Sequence, residues 1–131
     1  MSDPKRLLVV DDHVEITDLI REIAETDGYD VHALNQSSQF FDQFEKINPD
    51  IVCIDIHMPD VDGIEILRWL SNHDCRAQVV ILSGGYPLFT KVAERIGEAA
   101  NLHIRTVVKP FSLGDFRDVL RAFPATEKGA V

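Results

Sequence analysis

Basic residues are scarce in this chain. It carries 13 Lys and Arg against 22 Asp and Glu, for a formal net charge of −9. A nucleic-acid footprint needs clustered cations to neutralise phosphates, so no direct nucleic-acid contact is expected. Docking on an anionic membrane is disfavoured for the same reason. Cysteine is scarcer still. Cys53 and Cys75 are the only two, too few for a disulfide framework and not in a zinc-ligand spacing. They read as reduced thiols of a cytoplasmic protein, Cys53 as a buried strand thiol that is chemically inert. Long apolar runs are also missing. The four residues Leu7–Val10 are all that separate Arg6 from Asp11, too short for a signal-peptide core. No run approaches the ~20 residues of a membrane span. Internal repeats and low-complexity segments are absent as well.

What is present is ordinary globular composition, 45% hydrophobic and 27% charged over 131 residues. That length suits one domain and leaves no room for a second large one, since domains run to roughly 100–200 residues. Short apolar runs, Leu7–Val10, Val31–Leu34, Ile51–Ile54, Val79–Leu82 and Thr106–Val108, alternate with amphipathic stretches. Four of the runs lack polar alternation, as strands buried on both faces require. Val31–Leu34, with His32 inside it, reads as an edge strand. The helical patterns are Ile16/Leu19/Ile20/Ile23, Phe40/Phe41/Phe44/Ile47, Ile64/Leu67/Leu70, Phe89/Ala93/Ile96/Ala100 and Leu113/Phe116/Leu120/Phe123. Gly28 stops the first, and Ser37 or Ser38 is expected to cap the second, which ends before Pro49. Pro87 opens the fourth, which runs towards Asn101 and is weakened by Gly97. Ser112 caps the fifth. Trp69 falls in the third helix with one apolar face. Alternating strands and helices predict an α/β, flavodoxin-like three-layer sandwich: a five-stranded parallel sheet in the order 2-1-3-4-5 with five helices. The domain spans residues 1–123, and 124–131 form a polar tail or the start of a linker.

Sites in open α/β sheets form beyond the carboxyl ends of the strands. There the first run ends in Asp11-Asp12, the third in Asp55, the fourth in Ser83-Gly84-Gly85 and the fifth in Lys109-Pro110. The second ends in Asn35-Gln36, with no charge. Each residue alone has a plain structural explanation: a helix cap, a turn, a solvated end. Together they bring three carboxylates, a hydroxyl and an ammonium to one rim. Three gathered carboxylates repel one another and call for a cation, for which a hard, oxygen-liganded Mg²⁺ is the natural choice. Lys109 adds a mobile point charge and Ser83 a hydroxyl donor. The set is a phosphoryl-transfer constellation with a carboxylate available as nucleophile.

These residues, with the segment Asp55-Ile56-His57-Met58-Pro59-Asp60-Val61-Asp62-Gly63 and with Phe111 after Lys109-Pro110, resemble a response-regulator receiver domain of the chemotaxis-regulator-like kind. The resemblance covers almost the whole chain, from about Lys5 to Phe123. It implies a phosphoacceptor in two-component signalling, with Asp55 taking a phosphoryl group from a histidine kinase or histidine phosphotransfer protein. It implies Mg²⁺ held directly by Asp12, Asp55 and the backbone carbonyl of His57, and through water by Asp11. Lys109 is expected to pair with Asp55 and then with the phosphate, Ser83 to move onto a phosphoryl oxygen, and the Lys109–Pro110 bond to be cis. The output is binding to a downstream effector protein or domain through a surface around helix four, strand five and helix five, with a phosphorylation-dependent dimer as one form of it. Such a domain catalyses only its own phosphorylation and dephosphorylation.

The chain departs from the family pattern at Thr106, where the third residue before the lysine is usually aromatic. A threonine cannot report activation by burying a ring, and it reads as a β-branched strand residue. Tyr86 reads as a packing or solvent-facing aromatic, or as a displaced switch. The His57 side chain faces either the phosphoryl site or solvent, and His13, His32, His73 and His103 show no metal-ligand spacing. Two other readings stay open. One is a haloacid-dehalogenase-type phosphatase, which also uses a strand-end Asp but expects a second Asp where His57 stands. The other is a receiver-like interaction module that never takes phosphate.

Overall fold

The computed structural model describes residues 4–59, 61–73, 75–84 and 87–123. Among them, strands and helices alternate in the expected order. They are β1 (Arg6–Val10), α1 (Val14–Thr26), β2 (Asp30–Leu34), α2 (Phe40–Ile47), β3 (Ile51–Asp55), α3 (Gly63–Ser71), β4 (Gln78–Ser83), α4 (Pro87–Ala99), β5 (His103–Val108) and α5 (Leu113–Ala122). The five strands pair in parallel in the order β2-β1-β3-β4-β5. Tyr86, Gly85, Asp60 and the tail 124–131 lie outside the described residues.

Side-chain alternation along the strands divides the core between the two faces of the sheet. Leu8, Val10, Val52, Ile54, Val79 and Ile81 pack on Phe40, Ile66, Leu67, Leu70 and Ala93 of α2, α3 and α4. Leu7, Val9, Cys53, Val80 and Leu82 pack on Ile20, Ile23, Ala24, Phe116 and Leu120 of α1 and α5. Every residue of β3 and β4 is buried. That double burial is why these segments read as unbroken apolar runs, each such side chain contributing about 1.5–3 kcal/mol of transfer free energy. Burial also pushes the Cys53 thiol well above its ordinary range, which keeps it protonated and inert. Trp69 is half-buried in an aromatic cluster with Phe40, Phe41 and Phe44, and His73 stacks on its outer side at 4.0 Å between ring centroids.

Two expectations are corrected and one is extended. β5 is an edge strand paired only with β4, so it is not buried on both faces. It begins at His103, three residues before the apolar run, and its His103, Arg105 and Val108 are exposed. Neither Ser37 nor Ser38 caps α2. A 3₁₀ turn over Ser37–Gln39 precedes that helix, and the Ser37 hydroxyl instead accepts a hydrogen bond from the Val61 N–H at 2.9 Å. A tertiary contact with the segment after β3 outcompetes the local cap. Gly97 is more than a weak point in α4. A Cβ at this position would run into the Ile104 side chain, so its absence lets α4 lie against β5. The helix then ends at Ala99, and Asn101 turns the chain with φ +58°.

Other local signals hold. Gly28 follows α1 with φ +91°, Pro87 opens α4, and Ser112 forms a capping box with Asp115. α3 begins where the chain leaves β3, and the approach is close. The Gly63 N–H donates to Ile56 O at 2.9 Å, and a Cβ on Gly63 would stand 2.6 Å from Asp55 O and from Ile56 Cα. Those obstacles are backbone and cannot rotate away. Gly63→Ala is therefore expected to lower the unfolding free energy by about 1–3 kcal/mol in a urea titration. Gly97→Ala meets only a side chain and should be largely rescued by Ile104→Val. An unchanged midpoint for Gly63→Ala would show that α3 can shift outward freely.

Candidate functional site

Parallel register sets the site. Val10 pairs with Ile54, Asp55 with Leu82 and Ser83 with Val108. The residues that end these strands or immediately follow them, Asp11, Asp55, Ser83 and Lys109, therefore meet at one rim. Backbone bonds hold the ends level, from Lys109 N to Ser83 O at 2.7 Å and from Ile56 N to Leu82 O at 3.1 Å. The Lys109–Pro110 peptide is cis.

Asp11 is fully buried, Asp55 nearly so, and Asp12 is partly exposed. Lys109 Nζ lies between the two buried carboxylates, 2.7 Å from Asp11 Oδ2 and 3.5 Å from Asp55 Oδ1. The ammonium thus favours Asp11. Asp55 Oδ1 also accepts the His57 N–H at 3.2 Å, while Asp55 Oδ2 is buried with no hydrogen-bond partner. Burial and then the neighbouring Asp11 charge push the Asp55 carboxyl up to about 7, with Asp12 acting in the same direction. Lys109 and the His57 N–H oppose this without cancelling it. One ammonium is too little charge for this pocket. A carboxylate oxygen that faces other carboxylates, buried and without a donor, fits a bound divalent cation.

Sequence reasoning missed three neighbours. His13 is one that residue spacing hides. Its Nδ1 stands 3.1 Å from Asp11 Oδ1 and 3.3 Å from Asp12 Oδ1, and one ligand atom each from Asp11, Asp12, His13 and Asp55 lie within 4.8 Å of one another. Its backbone N–H also donates to Asp11 Oδ1 at 2.9 Å, a helix-entry contact that two consecutive Asp residues could have signalled. Asn35, at the uncharged end of β2, donates from Nδ2 to Asp11 O and Thr17 Oγ1, each at 3.0 Å. It ties the edge strand to the loop that presents Asp11. Thr90 is the third, with its Oγ1 2.9 Å from Ser83 Oγ. Ser83 is thus at the rim but bonded to α4. The His57 side chain is exposed and lies against Phe89, with 5.4 Å between ring centroids. Thr106 is half-buried, and its hydroxyl donates to Glu94 Oε2 at 3.3 Å.

The response regulator receiver domain model matches residues 7–121 of the chain. Sporulation initiation phosphotransferase F of Bacillus subtilis is 29% identical over 119 residues, 91% of this chain and 93% of that protein. The transcriptional regulatory protein TrcR of Mycobacterium tuberculosis is 31% identical over 120 residues, 92% of this chain but only 45% of TrcR. The chain thus spans less than half of that relative. Among solved structures, the NtrX receiver domain of Brucella abortus superposes with a TM-score of 0.77 at 25% identity, covering 88% of this chain and 94% of the other. A receiver-domain response regulator of Bermanella marisrubri gives a TM-score of 0.79 at 22% identity, covering 90% and 96%. The fold, the strand-end cluster and the match over nearly the full length agree: this chain belongs to the response regulator receiver domain family, the chemotaxis-regulator-like domains of two-component signalling.

Proposed function

We propose that Asp55 is the phosphoacceptor of a two-component signalling switch, and that its phosphoryl donor is a phosphohistidine on a histidine kinase or histidine phosphotransfer protein. The observation that carries this reading is the Asp55 carboxylate itself. It is buried at a strand end with Oδ2 unpartnered, beside one ammonium and two further carboxylates. In the transfer, an Asp55 oxygen attacks phosphorus, the P–N bond of the donor breaks, and the new P–O bond leaves an acyl phosphate. Lys109 is close enough to follow the charge from the carboxylate to the phosphoryl oxygens. Ser83, next to the strand partner of Asp55, supplies a hydroxyl donor to one of those oxygens. Asp12, Asp55 and the His57 carbonyl would hold Mg²⁺ directly, and Asp11 would hold it through water. The ion supplies positive charge that screens the carboxylates and the incoming phosphoryl group. No helix among the described residues is long and apolar enough to cross a membrane, which fits a cytoplasmic role. The product is a changed surface for an effector protein or domain, and a phosphorylation-dependent dimer is one form such a readout takes. The dehalogenase-type alternative lacks its second carboxylate, because His57 occupies that position with its ring turned out against Phe89.

Incubation with acetyl phosphate and Mg²⁺ is expected to add one phosphoryl group by intact-mass measurement. Asp55→Asn should abolish the adduct, and Lys109→Ala should slow its formation by about a hundredfold, the scale of losing one charge-stabilising group. Failure of every donor to modify the native chain would leave the interaction-module reading.

The raised Asp55 pKa makes a second prediction. Between the ordinary carboxylate range and about 7, the folded chain binds more protons than the unfolded chain, so stability falls as pH rises. Without divalent ions, Asp55→Asn should be more stable than the native chain at pH 8, by on the order of 1–3 kcal/mol. That advantage should shrink at pH 5, where native Asp55 is protonated. Added Mg²⁺ should raise the melting temperature of the native chain and much less that of the variant. A pH-independent difference between the two would refute the electrostatic account.

A further inference from the structure

We propose that Thr90 is a positioning residue for the Ser83 hydroxyl, and that the Ser83–Thr90 hydrogen bond latches the first turn of α4 until Asp55 is phosphorylated. The inference rests on Asp55 being the phosphoacceptor and adds the route by which the event reaches a helix.

Ser83 is the last residue of β4, one step beyond the strand partner of Asp55, and its side chain is almost fully buried. Its hydroxyl is bonded to Thr90 Oγ1 at 2.9 Å, while Asp55 Oδ2 has no hydrogen-bond partner. The Ser83 hydroxyl at this strand end is therefore engaged with α4. A serine hydroxyl carries one hydrogen, and its position follows a single torsion. A charged phosphoryl oxygen accepts a hydrogen bond roughly twice as strong as a neutral hydroxyl does. Rotation of Ser83 Oγ towards that stronger acceptor carries it away from Thr90.

Two further contacts shape the consequence. Phe89 of the same turn lies against His57, two residues after Asp55. The first turn of α4 thus touches both flanks of the acceptor, through β4 on one side and the β3 exit on the other. One turn further on, Glu94 accepts from Thr106 of β5 at 3.3 Å. Positions i and i+4 share a helix face, so these two polar attachments of α4 lie on one side. The Thr90 attachment depends on where the Ser83 hydroxyl points, whereas the Glu94 attachment does not. Loss of the first alone loosens the start of the helix about a retained hold. That start carries Leu88 and Phe89, whose relative exposures of 72% and 39% make them apolar groups a partner could read. A polar tether thereby couples the rim to α4 in a chain with Thr106 where an aromatic would otherwise stand.

Hydrogen–deuterium exchange on the full chain tests this, read alongside the phosphoryl adduct mass. Thr90→Val keeps the shape and removes the hydroxyl. In the unphosphorylated state it should raise exchange at the start of α4 by about fivefold, the scale of one hydrogen bond. Phosphorylation of the native chain should produce a similar rise at the same amides. Thr90→Val should also take up phosphoryl groups about twofold to fivefold faster, because Ser83 no longer has to leave a partner. Thr90→Ser, which restores the hydroxyl, should return both readouts to native values. Unmoved exchange in Thr90→Val, or failure of Thr90→Ser to restore it, overturns the latch while a native adduct keeps the phosphoacceptor reading. Absence of any adduct on the native chain overturns both.

Discussion

Like charges held at short range are the constraint on which this structure turns. Two unit charges about 4 Å apart at an effective dielectric near 20 interact by about 4 kcal/mol. Asp11, Asp12 and Asp55 are gathered at such separations, and Lys109 compensates only part of the repulsion. An isolated loop would relieve it by moving apart. Here it cannot, because Asp55 ends a fully buried strand and Asp11 directly follows another. The pocket is therefore kept in a state that a cation or a proton relieves. The raised pKa of Asp55 is the thermodynamic trace of that state.

The rest of the fold can be understood as the frame that resists this repulsion. The central strands bury both faces, so moving one strand end would disturb two cores at once. Around the rim, the chain is tied at points that have no part in the chemistry. Asn35 anchors the Asp11 backbone, Ser37 holds Val61, and Asp62 caps α3 through the Glu65 N–H. Gly63 lets that helix start within backbone contact of Asp55. These ties are short and each has a backbone partner, and they fix geometry without belonging to the crowded carboxylate cluster. Rigidity of this kind lets a small change of bonding at Asp55 be passed on instead of being absorbed locally.

How much of this was legible in the sequence follows from the range of each interaction. Double burial writes itself as apolar runs, so β1, β3 and β4 could be read directly, and parallel alternation then fixed the rim and its members Asp11, Asp12, Asp55, Ser83 and Lys109. β5 was placed correctly at the end of the sheet order but misread as buried on both faces, because Thr-Val-Val states strand propensity and not exposure. Its true start, His-Ile-Arg, alternates as an edge strand does. Ser37 fitted the rule for a helix cap, but the Val61 N–H, 24 residues away, took its hydroxyl. His13, Asn35 and Thr90 were invisible for a related reason. Each is a polar residue at the end or start of an element, where a plain capping or solvent role is the default; His13 meets Asp11 locally, whereas the tertiary arrangement brings Asn35 to Asp11 and Thr90 to Ser83. Family resemblance supplied what spacing could not, the cis Lys109–Pro110 bond among them.

Every member of the rim cluster comes from the strand ends of a single sheet, and this has a consequence for how such a unit is used. The groups that would accept a phosphoryl group need no other domain to assemble them. A unit of this size accordingly aligns with 93% of one relative and 45% of another. What must differ between contexts is the surface that is read. The buried strands are poorly suited to that task, since they are paired and packed on both faces. α4 is better suited, because it touches the rim at Thr90 and Phe89 and carries exposed apolar side chains beside those contacts. Thr106 fits this division. A ring at that position would need space between β5 and α4, whereas its hydroxyl bonds Glu94 and keeps the two elements joined. The departure from the family pattern thus sits at the contact between β5 and α4 and not in the charged rim itself.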